Sequence, residues 1–266
     1  MLKNAKSVWL IICLLLIPEI VGNETQWSYG NVHIIGDSHA AFCYTNFPDN
    51  NPWNWSSLSS RYEESFFSTD NYIKIPFSID WRQGRTMHRI GRDGINGFNI
   101  KSYGIKENDI VLLIFGAIDI GSHIFRGDEQ IRQMEHRDID EIIETLVANY
   151  IEIVLENKKQ YKNITIIISA CIPFAPGNKD RKEAFQKIFP GKSYEDTQVK
   201  ITNKLNIKLH YYSDKNNLLF LNVNELYTNA KGYLRPELSD GTHHVNIKEN
   251  RPFKEKLISI VLTEQS

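Results

Sequence analysis

The chain is short of cysteine and has no excess of charge, and each shortage removes a class of function. Its 266 residues include three cysteines, Cys13, Cys43 and Cys171. None lies in a Cys-x-x-Cys pair, which excludes a zinc ribbon and a thioredoxin-type motif. Cys13 falls in an N-terminal apolar run, so only Cys43 and Cys171 are left to pair, and two buried free thiols are the expected state. The formal net charge is −1. No basic stripe with interleaved aromatics appears, which argues against a nucleic-acid partner. Residues 31 to 266 hold no repeat, no low-complexity tract and no linker. What remains is 41% hydrophobic and 24% charged, the composition of an ordinary globular protein with enough chain for one substantial core.

The first 22 residues differ from the rest. Lys3 and Lys6 precede the apolar run Val8 to Ile17, and Pro18 and Gly22 follow. A spanning helix needs roughly 20 apolar residues, so this run fits a secretory signal peptide better. Cleavage near Gly22 leaves residues 23–266 as the domain, outside the cytoplasm. The alternative is an uncleaved N-terminal anchor, the one route by which a membrane enters, because Ile20 suits the position two before the cut poorly.

Periodicity places the elements. Val32 to Ile35 reads as a strand that stops on Gly36, and Ala40 to Cys43 as the first turn of a helix. Residues 44–70, with Trp53 and Trp55, show no sustained period and read as a long loop or broken helix. Further strands are expected at Tyr72 to Phe77, Asp109 to Gly116, Ile164 to Ala170 and Leu218 to Leu221. Trp81 to Arg89 reads as turn-rich. Helical spacing covers Asp138 to Tyr161, Tyr194 to Ser213 and Ile247 to Leu262. Asp109 to Gly116 is apolar on both faces, as in the middle of a covered parallel sheet. The pattern predicts a three-layer α/β/α sandwich with a mostly parallel five-stranded sheet.

Three polar turns follow strands or lie near the C-terminus: Gly36-Asp37-Ser38-His39, Gly116-Ala117-Ile118-Asp119 and Asp240-Gly241-Thr242-His243-His244. Serine catalysis needs a base for the hydroxyl proton and a carboxylate to orient that base. Asp240 and His243 supply both from one turn. Ser38 sits where a strand gives way to a helix, a junction whose free N–H groups favour negative charge; it is equally a place for a simple turn and cap.

Together these turns resemble the SGNH (GDSL-like) hydrolase family, over about residues 31 to 262. The resemblance implies the SGNH or flavodoxin-like kind of sandwich and a serine esterase without metal or organic cofactor. It makes Ser38 the nucleophile, His243 the base and Asp240 its orienter, with the N–H groups of Ser38 and Gly84 in the oxyanion hole. Gly91 and Gly94 compete with Gly84 for that place. Where the family has Gly-x-Asn-Asp, this chain has Ile118 in place of the oxyanion asparagine. Losing one such donor typically lowers turnover by ~10²- to 10³-fold.

Arg85, His88, Arg89 and Asp119 are the candidate substrate-binding residues, for a small-molecule or carbohydrate ester; a solvated loop is the plain reading of the basic ones. His244 is expected at the surface or behind the site, and His39 is expected to pack at the helix start. Two rival functions remain. A non-catalytic glycan-binding or interaction module accounts for Ile118. A metal-dependent phosphoesterase accounts for the Asp37-x-His39 spacing and would enlist Asp119, His123, Asp240 and His243 as further ligands.

Overall fold

The computed structural model describes residues 30–44, 59–71, 73–82, 84–124, 138–175, 179–188, 190–241 and 244–263. The leader, Trp53, Trp55 and His243 lie outside them. Six strands, β1 (Val32–Gly36), β2 (Ser59–Ser68), β3 (Ile73–Arg82), β4 (Ile110–Ile114), β5 (Thr165–Ser169) and β6 (Leu219–Leu221), form one sheet in the order β2-β3-β1-β4-β5-β6. All neighbours pair in parallel except β2, which runs antiparallel along β3. Six α-helices accompany them among the described residues: α1 (Met87–Gly97), α2 (Ile139–Lys158), α3 (Lys179–Ile188), α4 (Tyr194–Lys215), α5 (Asn224–Tyr227) and α6 (Arg251–Thr263), with 3₁₀ turns and a π turn at Asp119–Ile124 between.

Every residue of β1 and β4 is buried. Because side chains alternate along a strand, the apolar runs feed two cores. Ile35, Val111 and Leu113 pack with Tyr150, Val154 and Leu205 from α2 and α4. Ile34 and Leu112 face the other way, toward Phe42, Phe253 and Leu257. These are the three layers that the alternation of strand and helix patterns implied. Asp138 caps α2 through a bond from the Asp140 N–H, and Ser193 caps α4 through the Asp196 N–H.

Three expectations need correction. The sheet has six strands, not five. The added one, β2, lies in the stretch read as loop, and β3 runs on past Phe77 to Arg82. The inward side of β2 carries Tyr62, Glu64 and Phe66, and Glu64 pairs with the fully buried Lys254 of α6. A polar inward face conceals the apolar alternation that marks a strand. Residues after Trp81 are not only turn: α1 begins at Met87, capped by Thr86. Its glycines weaken a helix, but Gly91 is where α1 meets α2, since a Cβ there would lie 2.8 Å from Asn149 Cβ. Packing overrides propensity. Cys43 and Cys171 are both buried and free. Among the described residues no helix is long and apolar enough to cross a membrane.

Candidate active site

The strand order β3-β1-β4-β5-β6 reverses direction at β1, and in such sheets ligands bind beyond the carboxyl ends of the strands at the reversal. Ser38 stands there, first in a 3₁₀ turn that runs to Cys43. The turn is pinned by backbone: Asp37 N–H donates to the Ile114 carbonyl at the end of β4 (3.2 Å), and Ala40 N–H to the Asp37 carbonyl (3.0 Å). Gly36 is required by close approach, because a Cβ would lie 2.5 Å from the Ile114 carbonyl oxygen. Asp37 caps the turn. One of its oxygens accepts the His39 N–H (2.8 Å) and lies 3.1 Å from His39 Nδ1. Ser38 itself is 5% exposed. Among the described residues no side chain lies within hydrogen-bond distance of its hydroxyl.

The C-terminal turn reaches this corner. It is closed by the Asp240 N–H, which donates to the His244 carbonyl (3.1 Å), and by a bridge between Ser239 and Val245. His244 Nδ1 lies 3.5 Å from the Asp240 carboxylate. The His244 ring packs on His39 with centroids 4.8 Å apart. His244 is only 2% exposed; of the two places expected for it, the surface is wrong. Asp240 and Ser38, from opposite ends of the chain, therefore belong to neighbouring turns joined through His39 and His244. His243 lies outside the described residues.

The second and third blocks are also joined. Gly84 adopts φ +69° in the turn after β3. Gly91 lies inside α1 against α2, and Gly94 sits at a kink of the same helix with φ +64°. Of the three, Gly84 alone lies in the turn between strand and helix. Gly116, with φ +112°, could carry no side chain, since a Cβ would fall 2.3 Å from Cys171 Sγ. The turn it opens delivers Asp119 to the start of α1. There the carboxylate accepts the N–H groups of Met87 (2.8 Å) and His88 (3.0 Å). Desolvation, with a smaller contribution from nearby Asp37, pushes its pKa up to about 7 against those two hydrogen bonds.

Asp119 is therefore placed against the backbone at the start of α1. It is 0% exposed, and both oxygens are committed to the backbone that follows Gly84. The same commitment argues against Asp119 as a metal ligand. Ile118 is partly exposed at this turn. His88 and Arg89 are exposed on α1. Arg85 is turned toward Tyr103, donating to its hydroxyl, and toward the Gly97 carbonyl (3.3 Å). No motif marks Tyr103, and sequence reasoning passed over it. Only the return of the chain after α1 places it beside Arg85.

The fold has counterparts among solved structures at low sequence identity. An alpha/beta hydrolase enzyme from the metagenome of Lake Arreo, Spain, superposes with a TM-score of 0.50 at 12% identity, over 88% of this chain and 96% of that one. A GDSL-like lipase from Bacteroides thetaiotaomicron gives 0.49 at 16%, over 92% and 91%. A carbohydrate acetylesterase from Sinorhizobium meliloti gives 0.48 at 14%, over 88% and 99%. At such identities the likeness concerns the fold alone. No family model and no protein of curated function matches the chain.

Proposed function

We propose that the chain is a serine hydrolase of the SGNH type, cleaving an ester through an acyl-enzyme on Ser38. The observation that carries this reading is the meeting of the Asp240–His244 turn with the Ser38–His39 turn at the carboxyl end of β1. A nucleophile, an imidazole and a carboxylate from distant parts of the chain are the parts that acyl transfer needs. In the proposed reaction the Ser38 hydroxyl attacks the acyl carbon and its proton passes to a histidine of the C-terminal turn. The N–H groups of Ser38 and Gly84 receive the charge that develops on the carbonyl oxygen. The histidine returns the proton to the departing alcohol, and water releases the acyl group by the same path. Asp119 acts from behind by holding the start of α1.

His243 is the proposed base, from its place in Asp-x-x-His. His244 is the rival, because it is the imidazole 3.5 Å from Asp240. An O-acylated carbohydrate is the proposed substrate, on the strength of the leader and the Trp-rich segment, and export is part of the proposal. N-terminal sequencing of the native protein checks the leader: a soluble cytosolic form that begins at Met1 contradicts export. Treatment with a fluorophosphonate tests the chemistry, and we expect a covalent adduct on Ser38 that is lost in Ser38→Ala. A folded protein that neither labels nor hydrolyses esters is instead the glycan-binding or interaction module that Ile118 suggests.

A further inference from the structure

Beside the β3–α1 turn lies a cavity of about 190 Å³ lined by Arg82, Arg85, Arg89, Ile90, Asp93 and Gly97. Three arginines line it and one aspartate. That carboxylate is already engaged from outside the cavity, since Arg92 Nε donates to Asp93 at 2.6 Å and Nη2 at 3.1 Å. Among the described residues Arg82, Arg85 and Arg89 have no carboxylate at ion-pair distance. Gathering like charges in one concavity is unfavourable unless an anion joins them.

Two of the guanidiniums are held in place by aromatic rings. The Arg82 Cζ stands 5.4 Å from the centre of the Tyr103 ring, and the Arg85 Cζ 5.5 Å from that of Phe98. Arg85 also donates to the Tyr103 hydroxyl and the Gly97 carbonyl, which leaves its other N–H groups for a ligand. Tyr103 and Phe98 are buried, so this arrangement rests on the core. Guanidinium forks fixed in this way match the paired oxygens of carboxylate, sulfate or phosphate. The cavity is also close to the chemistry. Gly36 pairs with Trp81, so Arg82 ends the strand next to the one that leads into Ser38, and Gly84 lies between Arg82 and Arg85.

We propose that this cavity is a subsite for an oxyanionic group, a carboxylate, sulfate or phosphate, carried by the substrate. The assignment to substrate rests on the esterase reading; the anion site itself does not. The first arm of the test is calorimetric titration of the full chain with sodium sulfate at constant ionic strength. Saturable binding is expected, weakened by about tenfold or more in Arg82→Gln and in Arg85→Gln. Asp93→Asn should tighten it by about twofold, because a like charge is removed, and a gain of affinity cannot come from misfolding. Absent binding, or affinities equal in all four proteins with native circular dichroism, overturns the site.

The second arm compares an acetylated neutral sugar with an acetylated uronic or sulfated sugar. The ratio of kcat/KM, anionic over neutral, should exceed one and fall about tenfold in Arg89→Gln. Hydrolysis of both esters with a ratio that the substitution leaves unmoved overturns the assignment to substrate. If sulfate binding responds to the substitutions while neither ester is cleaved, the anion site stands and the esterase reading is what has failed.

Discussion

Removing the Asp119 carboxylate tests how the second and third blocks are held together. Asp119→Ala strands two donors at the start of α1, the N–H groups of Met87 and His88. The position is fully buried, so water does not readily replace the acceptor. A hydrogen bond contributes about 0.5–1.5 kcal/mol to a neutral acceptor and about 1.5–3 kcal/mol to an ionised one, and an unsatisfied buried donor costs about 1–3 kcal/mol. Against this stands relief from burying a carboxylate, which is what pushes its pKa up to about 7. We expect a net loss of about 2–4 kcal/mol and a fall in Tm on the order of 10 °C.

The loss should depend on pH. An unfolded aspartate titrates near about 3.9, while the native one holds its proton up to about 7. Between those values the native state binds more protons than the unfolded state, so the stability linked to this group declines as pH rises. It is fully present below the unfolded pKa and lost as pH rises through the folded one. The substitution should therefore cost more at pH 5 than at pH 8. Thermal unfolding of both proteins by circular dichroism at the two pH values measures it. An unchanged Tm, or a larger loss at pH 8, would refute the reasoning.

Three substitutions probe the catalytic reading. His243→Ala should abolish ester hydrolysis in a folded protein while His244→Ala keeps most of it; a kinetic comparison that returns the reverse makes His244 the base. Ile118→Asn should raise ester turnover, by up to ~10²-fold if the asparagine restores a full oxyanion donor, and steady-state kinetics that show a neutral or harmful effect would mean another group already fills that role.

The three-layer α/β arrangement was legible in the sequence because it depends on local pattern. Strands such as Ile110–Ile114 are apolar on both faces, and α2 and α4 carry capped helical periods, so element type and order follow from neighbours along the chain. Gly36, Asp37 and Ser38 were legible for the same reason: a strand must turn sharply there, and few residues allow it. The remaining features needed the tertiary structure. Edge strand β2 hides because its inward Glu64 is matched by Lys254, 190 residues away. Helix α1 hides because its glycines oppose helix formation until Asn149 and Asp119 meet it. Asp119 reads as a candidate substrate-binding residue, and only the fold supplies its two N–H partners. His244 reads as a residue at the surface or behind the site until the turn seats it on His39. Tyr103 and Phe98 lie in no motif, and only the fold sets them beneath Arg82 and Arg85. In each case the partner is remote in sequence, and a contact between remote residues leaves no period or spacing in the chain that carries it.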